Sequence, residues 1–182
     1  MIWLSNSTIA RLRDQLKTRG QRPSIALTDM GDVSKLEPEA AELAVVTSEY
    51  GPICEAMYLM MSADGNISGE ERDVLKGALR NLSGDTVRSV HIEAMLDRAA
   101  REAAEQGRET RLREVVEALQ PDPARAEVAF VLAAAIAFAD SAIADEENET
   151  LNLLAEGLGI DEKRADELLD NVEADLAERQ PA

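Results

Sequence analysis

At 182 residues the chain has room for one domain, or for a duplicated pair of small units sharing a core. Its 45% hydrophobic content excludes a disordered polymer, and 3% aromatics leave a core of Ala, Leu, Ile, Val and Met, which suits close-packed helices better than a sheet. A net charge of −17 argues against nucleic acid, whose binding needs a basic face, and in favour of cations and basic partners.

Residues 1–35 carry six Lys/Arg against three Asp/Glu, net +3, and the remainder carries 13 against 33, net −20. This reads as a basic N-terminal arm and linker ahead of an acidic body over residues 36–182. Residues 5–19 fit a basic amphipathic helix with Ile9, Leu12 and Leu16 on one face and Arg11, Arg13 and Lys17 elsewhere. With Ile2, Trp3 and Leu4, that face either lies on an anionic membrane leaflet or docks on the acidic body. Residues 20–35 hold Gly20, Pro23 and Gly31 and read as a linker.

Pro38 opens a helix expected to run to residue 50, where Gly51-Pro52 breaks or kinks it. Further helices follow over about 53–63, 68–82, 86–106 and 109–119. Pro121-Asp122-Pro123 divides two halves, about 38–120 and 121–178. Pro123 starts the next helix, 145–157 follows and is closed by Gly157 and Gly159, and Asp161 caps the last helix to about 178. The charge alternation over 102–117 suggests a solvated helix face. The predicted class is all-α: a duplicated helical-hairpin bundle of seven or eight helices with a pseudo-twofold internal repeat. No apolar run reaches the ~20 residues of a membrane span, and the single Cys54 fits a reducing cytoplasm.

The halves repeat one layout. Ala63-Asp64-Gly65-Asn66-Ile67-Ser68-Gly69-Glu70-Glu71 returns 76 positions later as Ala139-Asp140-Ser141-Ala142-Ile143-Ala144-Asp145-Glu146-Glu147. Each copy follows an apolar segment and ends in a helix start. The first copy reproduces the second half of an EF-hand loop, but the positions of the first half fall on Met60 and Ser62, so it is no EF-hand. Asp64, Glu71, Asp140 and Glu147 are the candidate metal ligands, in one shared site or two. Carboxylate-only donors select Ca²⁺, Mg²⁺ or Mn²⁺ over Zn²⁺, which favours His or Cys. His91 and Cys54 stand outside the repeats and read as a surface or satisfied histidine and a packed thiol. The competing reading is capping: Ser68 and Glu71 form a Ser-x-x-Glu box, although Ala144 takes the Ser position in the second copy.

At these two turns the chain resembles the TerB-like family of bacterial tellurite-resistance proteins, a relative of which occurs in membrane-anchored DnaJ-like co-chaperones. The resemblance rests on Ser62 to Glu71, on Phe138 to Glu147, and on Leu154-Ala155-Glu156-Gly157-Leu158-Gly159-Ile160-Asp161 after the second turn. It spans about residues 40–178. Ser141 in place of the second Gly and the charged stretch over 97–117 depart from the pattern. The resemblance implies divalent-cation binding at Asp64, Glu71, Asp140 and Glu147 and a role in a metal-stress or membrane-surface complex. The expected function is a non-enzymatic, cation-responsive interaction module with a protein partner, cytoplasmic or at the inner membrane surface. The alternative is a membrane-peripheral scaffold or co-chaperone-type adaptor docking through the basic arm. No nucleophile motif, phosphate-binding glycine loop or redox pair points to an enzyme.

Overall fold

Eight helices and no strand make up the described part of the chain, residues 4–18, 37–63, 67–138 and 145–177 of a computed structural model. In chain order they are α1 (Asn6–Thr18), α2 (Pro38–Met61), α3 (Gly69–Ser83), α4 (Ser89–Gln106), α5 (Arg108–Leu119), α6 (Pro123–Ala137), α7 (Asp145–Leu158) and α8 (Glu162–Ala177). The all-α expectation therefore holds.

Local chemistry sets most boundaries. Asp122 accepts from the Arg125 amide at 3.2 Å, and Pro123 takes the first turn of α6, where a missing N–H costs nothing. At Gly84 (φ +62°) the amides of Gly84 and Asp85 return to the carbonyls of Asn81 and Arg80, a Schellman closure of α3. Gly157, expected to end a helix, lies inside α7. There a Cβ would stand 2.8 Å from Val116 Cγ1, so the glycine lets α7 approach α5. Gly159 is the terminator instead.

The core is built on α2 and α6, the helices that feed the two turns. Neither has a polar face: α6 buries eleven of its fifteen residues, and Ile53, Cys54, Met57, Leu59 and Met60 of α2 are all at most 1% exposed. Met57 and Met60 thus serve as core, as expected, and burial pushes the Cys54 thiol well above its ordinary pKa. Positions 76 apart are buried in both helices with complementary sizes: Cys54 with Phe130, Met57 with Ala133, Leu59 with Ala135. Two similar helices packed together need such large-small alternation to interdigitate without voids.

Arg125 fixes their register. Its guanidinium donates to the Glu49 carbonyl at 2.7 Å, its own counterpart at the 76-residue offset, and to the Ser48 carbonyl at 3.1 Å. The second bond explains a difference from expectation: α2 runs unbroken through Gly51-Pro52. Pro52 has no N–H to give the Ser48 carbonyl four residues back, and Arg125 supplies a donor from outside the helix.

The arm docks on the body. Leu4, Ile9 and Leu12 are 1%, 6% and 2% exposed, and α1 packs on α3 and α6. Ser5 bonds Asp175, and Gln15 donates to Glu127 at 3.0 Å. Arg164 of α8 grips the same Glu127 carboxylate with two bonds of 2.8 Å. The Arg164 bond, chiefly, holds the Glu127 carboxyl below its ordinary pKa. A depressed carboxylate contributes stability that is present above its unfolded value, about 4.3, and lost as pH falls through the folded one. Unfolding midpoints of Glu127→Gln should therefore vary less with pH over about 5 to 3 than those of the wild type; parallel curves would refute the linkage.

The stretch over 102–117 is not a uniformly solvated face. Arg111 is 7% exposed and clamps Glu55 of α2 with bonds of 2.6 and 2.8 Å, with Glu102 at 2.9 Å and Glu114 also paired to it.

Candidate cation site at the paired acidic turns

The first turn follows Met61 of α2. The amide of Ser62 returns to Tyr58 and that of Ala63 to Met60, so the helix tightens as it ends. Ile67 packs against the core and anchors the far side, as expected. Ser68 then caps α3. Its Oγ accepts from the Glu71 amide at 3.2 Å, and the Glu71 carboxylate accepts from the Ser68 amide at 2.6 Å. This is the capping box read from the sequence, and it commits one oxygen of Glu71 to local work.

The second turn follows Phe138, which caps α6. On its far side α7 opens with Asp145, Glu146 and Glu147, three carboxylates in the first turn, where the helix dipole favours negative charge. Glu147 is half-buried there. Asp64 and Asp140, the other two candidate ligands, lie outside the described residues.

Described residues that flank the two turns are joined through one side chain. Arg125 sets the first turn of α6 beside the middle of α2, and near the C-terminal end of α2 a single side chain touches both halves. Arg108, the first residue of α5, donates to the Leu59 carbonyl of α2 at 3.1 and 3.0 Å and to the Thr150 hydroxyl of α7 at 2.7 Å. One guanidinium cannot reach both unless the exit of α2 and the entry of α7 are close. The last turn of α2 thus lies beside the first turns of α7. The N-termini of α3 and α7, which follow the two acidic turns in the chain, are positive dipole ends that offset part of the charge. The outgoing helices both touch α2 and otherwise have different neighbours: α3 packs on α1 and α4, and α7 on α5 and α6.

Oxygen-only donors at these turns suit a hard divalent cation. Glu71 and Glu147 bring one carboxylate from each turn. Among the described residues no group of three or more His, Cys, Asp or Glu side chains is placed to hold a metal ion. Two of the four candidate ligands, Glu71 and Glu147, are therefore described, and by themselves they do not make such a group. Sequence reasoning overlooked Arg108. Its signal was its place directly after Gly107, whose backbone (φ +86°, ψ 149°) is one glycine adopts readily, marking a sharp joint between α4 and α5.

The remaining titratable candidates are structural. His91, expected at the surface or satisfied, is 3% exposed. Its Nε2 stands 3.1 Å from an Arg88 nitrogen, and its Nδ1 is buried with no hydrogen-bond partner among the described residues. A cavity of about 340 Å³ between α2, α4 and α5 is floored by Glu55 and Arg111. No helix among the described residues is long and apolar enough to cross a membrane.

Set against known proteins, residues 53–175 match the family model described as tellurite resistance protein TerB, which covers more than half of the chain and both acidic turns. No curated protein and no solved structure matches it.

Proposed function

The chain belongs to the TerB family, and from that membership we propose that it is a non-enzymatic interaction module whose acidic turns respond to divalent cations in metal stress. Asp64, Glu71, Asp140 and Glu147 would supply the oxygens, and Ca²⁺, Mg²⁺ or Mn²⁺ would fit them better than Zn²⁺. The supporting observation is that Arg108 joins the helix before one carboxylate-rich turn to the helix after the other, in a protein of net charge −17. Bound cation would neutralise and fix the turns, changing the surface a basic or metal-dependent protein partner meets. The alternative of a membrane-peripheral adaptor docking through the N-terminal arm would require Leu4, Ile9 and Leu12 to leave the core.

Thermal unfolding after chelation, with and without ~1 mM of each cation, tests the proposal. A cation at 100 times its Kd adds about 2.7 kcal/mol, roughly 5–10 °C in midpoint for a chain of this size. The shift should appear with a hard cation and vanish in Asp64→Asn/Asp140→Asn. Midpoints unmoved by every cation would sink the reading and leave capping and solvation as the work of these carboxylates.

A further inference from the structure

Arg108 stands where the two halves meet, and each half gives it one acceptor. The Leu59 carbonyl lies in the last turn of α2, where its ordinary partner four residues on, the Ala63 amide, has turned to Met60 instead. The guanidinium takes that place with two donors, beside a longer bond of 3.4 Å from the Ser62 hydroxyl. Its third bond, to Thr150, reaches the first turns of α7, where the same hydroxyl donates to the Glu146 carbonyl at 2.7 Å. A continuous chain of hydrogen bonds thus joins the last turn before one acidic turn to the first turn after the other. The side chain is half-buried, and desolvation by that burial is the main influence on it, opposed by the nearby Glu149. A desolvated charge depends on its remaining acceptors, so loss of either one weakens the hold on the other.

We propose that Arg108 is a resident cation that locks the exit of α2 to the entry of α7, so that these two helix ends, which flank the acidic turns, open as one unit and respond to a divalent cation together. The response clause rests on the function proposed above; the lock does not. If either helix end frays, the guanidinium loses an acceptor supplied by that half, and the other half loses its anchor.

Hydrogen exchange on the full-length protein tests this with two variants. Thr150→Val keeps the shape of the side chain and changes only the second half. It should speed exchange at Ser62 and Ala63, in the first half, by about tenfold, the scale of one charge-assisted hydrogen bond, together with exchange in the first turns of α7. Arg108→Lys keeps the charge without the planar fork that serves two acceptors and should do the same. Acceleration confined to α7 in Thr150→Val, or wild-type rates at Ser62 and Ala63 in Arg108→Lys, would overturn the lock. A Ca²⁺ titration followed at amides of both helix ends separates the second clause. One shared midpoint in the wild type and two in Thr150→Val would support a joint response. Two midpoints in the wild type would overturn it. Wild-type amides indifferent to Ca²⁺ would overturn the response clause with the cation reading itself, while the exchange rates still decide the lock.

Discussion

Replacing Arg111 by methionine is expected to destabilise the fold by about 3–5 kcal/mol, the cost of breaking a buried pair by removing one partner. The pair is well formed: both Glu55 oxygens face the guanidinium at 2.6 and 2.8 Å, and the two side chains are only 8% and 12% exposed. Without Arg111, the Glu55 carboxylate on α2 stays buried while its counter-charge on α5 is gone. Loss of the pair's Coulomb energy alone would not distinguish this account from a surface bridge, which contributes ~0–1 kcal/mol. The double variant Arg111→Met/Glu55→Leu does. Removing both charges should recover most of the loss, because an apolar pair of similar size often matches a buried ion pair. Urea unfolding of the wild type, Arg111→Met, Glu55→Leu and the double variant gives the coupling energy. Additive losses would show that the pair acts independently and that Arg111 matters mainly through its aliphatic stem and its other carboxylate neighbours, Glu102 and Glu114.

The second large effect is expected at Arg125. Arg125→Met removes two hydrogen bonds from a charged donor to the carbonyls of Ser48 and Glu49, each of order 1.5–3 kcal/mol, and a total of about 2–4 kcal/mol allows for retained packing of the stem. The diagnostic is Pro52. Pro52→Ala returns an N–H to the helix at the position that faces the Ser48 carbonyl. In that background Arg125→Met should cost at least 1 kcal/mol less than in the wild type, since one acceptor has recovered a partner. An equal cost in both backgrounds would mean that Arg125 does not compensate the proline. The Arg125 contact aligns α2 with α6, the helices that lead into the two acidic turns.

The surface pairs deserve smaller expectations. Arg72 with Glu93 and Asp97, and Lys76 with Glu93, tie α3 to α4 at distances of 2.7–3.0 Å, but their side chains are partly exposed, and water screens them. They trim the angle between two helices already held by Leu75, Leu79, Ile92 and Leu96, all at most 1% exposed.

The helical class and most helix boundaries were legible before any tertiary contact was known, because these rest on local rules. Proline at a first turn, the Ser68–Glu71 box, Asp122 before Pro123 and glycine at Gly84 and Gly159 act within a few residues of chain. The 76-residue offset was likewise legible, and so were the apolar helices that feed the turns. What tertiary structure alone decided are the fates of charges and of the proline. Pro52 is tolerated because an arginine more than seventy residues away serves the carbonyl it leaves. Arg108 and Arg111 sit in a run of alternating charge that looks solvated, yet they turn inward because acceptors on α2 and α7 meet them there. The apolar face of α1 suited a membrane as well as a protein core; its burial against α3 and α6 is visible only in the fold. A side chain's own sequence neighbourhood fixes its backbone conformation, but the partner that makes burying a charge tolerable comes from elsewhere in the fold.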